Sequence, residues 1–148
     1  MTMNRKHQAG LHNVGSYQVS GIPWVTGSTI NGNATEHKFE FPFVTQNIKL
    51  WNTGSIPCRV HFNTSGDGEV ISAAGHHYIT LQPSGSVDDS TNPRSYLELN
   101  VKCKEIFITG IGGAANSTGI EMFAELTGIP ADAMFTLSGR GLTTGDGT

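Results

Sequence analysis

The run of short apolar–polar alternations between Glu36 and Leu126 most restricts what this chain can fold into. Gly, Asn, Asp and Pro interrupt it about every ten residues, and no stretch of it sustains the 3.6-residue period of an amphipathic helix. Seven or eight short strands separated by turn residues are typical of an antiparallel sandwich or barrel. We therefore predict an all-β fold, an antiparallel β-sandwich with jelly-roll-like or immunoglobulin-like packing and extended N- and C-terminal arms.

Two segments carry the clearest strand patterns. In His37–Phe43 the three phenylalanines share one parity, which predicts a half-buried strand, and Pro42 places its end at a sheet edge or a bend. In Gly119–Leu126 one parity is entirely apolar, and the flanking glycines favour a strand over a helical turn. These two strands should supply much of the core.

The segment before His37 is weaker in pattern. Residues 14–25 mix strand formers with breakers, so we expect only a short edge strand near Tyr17 and Val19, with Pro23 confining it to an edge or bulge. Thr26–Thr35 consists mainly of Gly, Ser, Thr and Asn and is predicted to be a loop.

These patterns divide the chain into three parts. We expect an N-terminal arm and edge strand at residues 1–32, a β-sandwich core at residues 33–128, and a C-terminal extension at residues 129–148. Within the extension, Pro130–Phe135 is the one helical-looking segment, with proline at a possible first helical position.

Composition excludes several functional classes. Only 14% of the residues are charged and the net charge is −3, so the chain lacks the basic footprint of a nucleic-acid-binding protein. No stretch approaches the roughly 20 apolar residues of a membrane span. The N-terminus is basic but has no apolar segment after it, which predicts synthesis in the cytoplasm without export by the usual route.

The low charge also bears on partners. The surface must be covered largely by Gly, Ser, Thr and Asn, which suits a protein whose surface is covered by neighbours or one exposed outside a cell. We expect protein partners and a homo-oligomer, with no nucleic acid and no membrane.

Cys58 and Cys103 each continue an apolar parity. Two cysteines are too few for a disulfide scaffold, and there is no CxxC spacing. We interpret both as buried thiols acting as small hydrophobes. A disulfide formed after release into an oxidising environment remains the alternative.

Catalytic and metal-binding patterns are weak. The chain has six histidines, but His76 and His77 are adjacent on a predicted strand and point to opposite faces, so they do not easily ligate one ion. There is no Gly-x-Ser-x-Gly elbow, and the glycine-rich run from Gly110 to Gly113 lacks the Gly-Lys-Ser/Thr ending of a phosphate-binding loop. We predict no catalytic residues, no metal and no cofactor, and therefore no enzyme.

Apolar anchors spaced among polar residues indicate where a partner would dock. The candidates lie in both predicted arms and on one strand, and they are Leu11, Val14, Tyr17, Trp24, Trp51, Met134, Phe135 and Leu142. Trp24 and Trp51 also have a second interpretation, as aromatic platforms on which a β-sandwich binds carbohydrate.

Three segments carry a family resemblance. The segments His12–Gly27, Leu99–Ile108 and Ala124–Ile129 resemble small virion structural proteins of tailed bacteriophages, especially those of marine cyanophage-like viruses. The resemblance implies a non-enzymatic particle component present in many copies, made in the host cytoplasm and located in the virion. Its partner would be the major capsid protein or another virion protein.

The expected function is that of a capsid decoration or cement protein that binds and stabilises the assembled shell. Two alternatives stay open. One is a component associated with the tail, neck or fibre of the particle. The other is a carbohydrate-binding β-sandwich used for host attachment.

Overall fold

The computed structural model of the chain describes residues 10–18, 21–65, 77–84 and 95–144. They form one short helix, eight strands and a 3₁₀ turn. The elements are α1 (Gly15–Gln18), β1 (Ile22–Asn31), β2 (Asn33–Glu40), β3 (Phe43–Asn52), β4 (Cys58–His61), β5 (Ile79–Leu81), β6 (Tyr96–Leu99), β7 (Glu105–Ile111), β8 (Ser117–Pro130) and the 3₁₀ turn (Ala131–Ala133).

The eight strands form two antiparallel four-stranded sheets. Sheet I has the order β1-β8-β3-β6, and sheet II has the order β2-β7-β4-β5. Each strand of the first half pairs with the strand that mirrors it in the second half: β1 with β8, β2 with β7, β3 with β6 and β4 with β5. A ribbon of four antiparallel pairs, wrapped so that successive pairs fall in opposite sheets, is the eight-stranded jelly roll. The prediction of an all-β sandwich is confirmed, and of its two forms the strand order is that of the jelly roll.

The core lies between the sheets and follows the period-2 patterns of the sequence. Leu126 and the three alternate residues before it on β8 are buried, as predicted, while Glu121 is exposed. The central strands of both sheets supply most of the other fully buried side chains, among them Ile48, Leu50, Cys58, Val60, Ile106 and Ile108.

The segment His37–Phe43 is not one strand but two. β2 ends at Glu40 in sheet II and β3 begins at Phe43 in sheet I, so the chain changes sheets at Phe41 and Pro42. Pro42 has no N–H to donate to a ladder, which favours a bend at this position as the sequence predicted. Phe41 is 3% exposed in the core, whereas Phe39 and Phe43 are only partly buried.

The prediction of a loop at Thr26–Thr35 is wrong. Residues 26–31 belong to the ten-residue strand β1, and β2 begins at Asn33. β1 matches β8 residue for residue from Ile22 opposite Leu126 to Asn31 opposite Ser117. This ladder with a strong central strand overrides the weak strand propensity of Gly, Ser and Asn.

Parts of both predicted arms pack on the domain. Leu11 and Tyr17 lie against a second buried cluster, which consists of Val44, Ile129 and Met134. Tyr17 is in the helical turn α1 and not in the predicted edge strand, and Val19 lies outside the described residues. The Tyr17 hydroxyl donates to the Leu11 carbonyl at 2.8 Å, which holds this segment in place.

The strands follow the first boundary of the three-part division, between β1 and β2, but β8 crosses the second. β1 places Ile30 in the main core from within residues 1–32, and β8 continues to Pro130. The helix predicted at Pro130–Phe135 is a 3₁₀ turn of three residues, Ala131–Ala133, with Pro130 preceding it as the cap and not as its first residue.

Candidate functional site

The predicted contact residues lie in different environments. Met134 is buried and Trp24 packs edge-on against Phe41, with 4.9 Å between ring centroids. Leu11, Tyr17 and Leu142 are half-buried. Val14, Trp51 and Phe135 are exposed. That these eight residues contact a partner stays a prediction. The three exposed side chains could do so without local rearrangement.

Trp51 belongs to the outer face of sheet I, the face turned away from sheet II. Register aligns outward-facing side chains in rows across the four strands. One row is Val25, Phe123, Lys49 and Glu98, and the next is Gly27, Glu121, Trp51 and Tyr96. Val25 is 72% exposed, Trp51 37% and Tyr96 39%. This face therefore presents an apolar and aromatic surface edged by carboxylates.

Trp51 and Tyr96 form a cross-strand aromatic pair. Their ring centroids are 5.2 Å apart and their planes are tilted by 36°, a geometry in which aromatic rings attract one another. The Tyr96 hydroxyl donates to Glu98 Oε2 at 3.1 Å. Beside the pair is a depression of about 430 Å³, lined by residues 25–27 of β1, by Trp51 and by residues 121–123 of β8.

One of the two edges of sheet I is formed by β1, which pairs only with β8 in the described part of the chain. Isolated proteins usually protect such an edge with charge, proline, short length or a bulge. β1 has Pro23 near its start but no charged residue anywhere. It is ten residues long and its register with β8 is unbroken. Among the described residues no strand pairs with the other side of β1, so its backbone groups after Pro23 can accept a strand of another chain.

His61 is a buried histidine whose two ring nitrogens are both used structurally. Nδ1 donates to the Asn63 carbonyl at 2.7 Å, because a carbonyl only accepts, and Nε2 then accepts from the Thr109 hydroxyl at 2.9 Å. The ring stacks on Phe107, with 5.7 Å between centroids. Burial lowers the pKa of His61 below its ordinary value of 6.5. This arrangement holds a loop and leaves no nitrogen for general-base chemistry.

Glu36, on β2, lies near His61, on β4. Burial raises the pKa of its carboxyl, but hydrogen bonds from the Ser65 hydroxyl and backbone and from Thr64 outweigh burial and leave that pKa below 4.5. The Ser65 hydroxyl donates to Glu36 Oε2 at 2.7 Å. The carboxylate thus anchors the segment that follows β4.

Cys58 and Cys103 are both free and buried, which agrees with their interpretation as small hydrophobes. Burial raises the pKa of the Cys58 thiol to about 12 and that of Cys103 to about 11. Thiols this far from ionisation are poor nucleophiles at neutral pH.

Among the residues that the structure describes, no group of three or more His, Cys, Asp and Glu side chains could hold a metal ion. His76 lies outside them. Over the same residues there is no helix long and apolar enough to cross a membrane.

Sequence reasoning missed two features of sheet I. The exposed position of Val25 was not predicted, because a loop was expected from Thr26 onward and the alternation of faces along β1 could not be followed. The neighbouring amides Gln46 and Asn47 also escaped notice, since a regular strand would point them to opposite faces. The one signal available in the sequence was the absence of charged residues from Ile22 to Asn31, beside the predicted edge strand.

No family model matches the chain, and no curated protein matches it. A solved structure from Bacillus endospore appendages, described as forming a novel family of disulfide-linked pili, aligns with 73% of this chain and 88% of its own length. The identity is 18% and the TM-score 0.39, values too low for this likeness to indicate what the chain does.

Proposed function

We propose that this chain is a non-enzymatic structural protein of a tailed-phage particle, where it decorates and stabilises the assembled capsid. It would be made in the host cytoplasm and reside in the virion. Its partner would be the major capsid protein or another virion protein, with further copies of itself alongside. The assignment to a phage particle is supported by a resemblance to small virion proteins in residues 12–27, 99–108 and 124–129.

The observation that carries the proposal is the edge of β1. Ten residues without a charge, in unbroken register with β8, offer a row of backbone N–H and C=O groups to an incoming strand. Val25 and Ile22 are exposed on the same strand and would be covered by that partner. A protein that remained alone would be exposed to aggregation along this edge, whereas a protein held on a lattice is not.

Two lysines on β1 test the proposal. Val25→Lys combined with Thr29→Lys charges two exposed positions of the strand and opposes edge pairing. We expect this variant to keep the far-ultraviolet circular dichroism of the wild type but to co-sediment at least several-fold less with phage particles that lack the protein.

The control is Thr136→Lys combined with Ser138→Lys, which adds the same charge at exposed positions away from β1. It should co-sediment like the wild type. Equal binding by the β1 variant would show that another surface attaches the protein. Binding of the wild type to isolated tails but not to heads would favour the tail or neck position.

A further inference from the structure

A second depression, of about 390 Å³, lies on the outer face of sheet I next to the aromatic pair. The helical turn α1 contributes Tyr17 to its wall, and the strands contribute only polar or charged side chains. These are Gln46, Asn47 and Lys49 from β3, Glu125 from β8, and Glu98 and Asn100 from the β6 region.

A β-bulge in β3 brings two neighbouring amides into this depression. Thr45 is opposite Leu126 and Asn47 is opposite Glu125, so Gln46 is an extra residue in the ladder. A bulge reorients the side chains at its position, and such irregularities are frequent beside binding sites. Gln46 and Asn47 therefore both line the depression.

The hydrogen bonds of these amides leave two acceptors without donors. Asn47 Nδ2 donates to Glu98 Oε1 at 3.2 Å and to Asn100 Oδ1 at 2.6 Å. Gln46 Nε2 donates to Glu125 Oε2 at 3.3 Å. Because a carboxylate only accepts, each NH₂ group must face its glutamate. Within the described part of the chain, Asn47 Oδ1 and Gln46 Oε1 are then buried without a hydrogen-bond partner, and Asn47 is only 8% exposed.

Buried carbonyl oxygens without donors are rare and costly. These two are enclosed, so a molecule that donates hydrogen bonds would reach them through a shift of the surrounding side chains and would then satisfy them. A metal ion fits poorly, because the Lys49 ammonium lines the same depression. An acidic ligand would meet the carboxylates of Glu98 and Glu125. Uncharged hydroxyl groups fit both conditions, since each can donate to an amide oxygen and accept from Lys49.

The aromatic pair extends this polar site along β3. Trp51 is four residues after Asn47 on the same face, which is about 13 Å along a strand, and Lys49 lies between them. A ligand with apolar faces and hydroxyl edges would stack on Trp51 and Tyr96 at one end and bond to the amides at the other. That span suits an oligosaccharide and not a single sugar.

We propose that the outer face of sheet I binds a neutral oligosaccharide of about two to four units, stacked on Trp51 and Tyr96 and hydrogen-bonded by Gln46, Asn47 and Asn100. Of the two tryptophans considered as sugar platforms, this selects Trp51, since Trp24 is partly buried against the core. The site uses a face of sheet I and not the β1 edge, so it does not rest on the proposed attachment to particles.

The test is a printed array of neutral and acidic glycans probed with the labelled full-length chain, followed by titration calorimetry with the best-bound glycan. We expect binding to neutral glycans, and a loss of about tenfold or more in affinity for Trp51→Ala. Asn100→Ala, at the exposed polar end, should also weaken binding. Phe135→Ala removes an exposed aromatic elsewhere and should bind like the wild type.

Three results would overturn the proposal: no binding above background on the array, binding that Trp51→Ala leaves unchanged, or calorimetric binding of calcium chloride without binding of any glycan. Failure of the β1 lysine variant to detach from particles would leave these results unaffected. Each proposal can therefore fail alone.

Discussion

The pH dependence of stability should depend on His61. Its pKa in the folded chain is below 6.5 because the ring is buried. Between that lowered pKa and 6.5 the unfolded chain binds more protons than the folded chain, so the free energy of unfolding rises with pH. We therefore expect stability to fall as pH decreases below about 6.5 and to level off once the folded-state pKa is passed. Denaturant titrations from about pH 7.5 to about pH 5 measure this slope.

Two variants identify the group responsible. His61→Gln keeps a donor and an acceptor but cannot titrate, so the slope should flatten. His12→Gln, at an exposed histidine, should retain the wild-type slope. Glu36 acts at lower pH, because its pKa lies below 4.5. An unchanged slope in His61→Gln would assign the effect to another residue.

At the scale of elements, Gly110 on β7 marks a close approach between the two sheets. A Cβ at this position would lie 2.2 Å from the Asn31 carbonyl oxygen at the end of β1. The glycine-rich run from Gly110 to Gly113 thus has a packing role at its first residue. A side chain here forces backbone atoms apart.

We expect Gly110→Ala to lower the free energy of unfolding by about 1–3 kcal/mol, the usual range for overpacking. Gly27→Ala is the matched substitution within β1, where an added Cβ meets its nearest atom at 3.8 Å. It should be close to neutral. Chemical denaturation of both variants checks the difference, and equal losses would contradict the close approach of β7 to β1.

The elements also differ in how well local pattern predicted them. β8 was clear because its alternate positions from Ile120 to Leu126 are apolar and lie buried in the core. β1 was missed beyond Val25, since Gly, Ser and Asn carry no period. Its structure comes from the ladder with β8, which joins opposite ends of the chain.

At the scale of the whole molecule, the N-terminal segment packs on the domain in addition to any contact that it makes with a partner. Deleting residues 1–21 removes Leu11 and Tyr17 from the cluster of Val44, Ile129 and Met134. We expect this deletion to lower the free energy of unfolding by about 1–3 kcal/mol from lost apolar burial. Deleting residues 1–9 takes away neither side chain and serves as the control. Thermal unfolding of both forms makes the comparison, and equal melting temperatures would show that this packing contributes little.

The candidate site was only partly predictable. Trp51 could be recognised as outward-facing because it opposes the apolar parity of β3. The roles of Gln46 and Asn47 could not, because a one-residue bulge reverses the face that alternation assigns. Trp24 was open to either interpretation until its contact with Phe41 was known.

The sequence by itself determined the all-β class, the inward faces of the central strands and the burial of Cys58 and Cys103, because a period of two is a local property of the chain. Only the tertiary structure decided the jelly-roll order, the strand at Thr26–Asn31 and the meeting of α1, β3, β6 and β8 around the polar depression. These features depend on register and on partners distant in sequence, and local propensity contains neither.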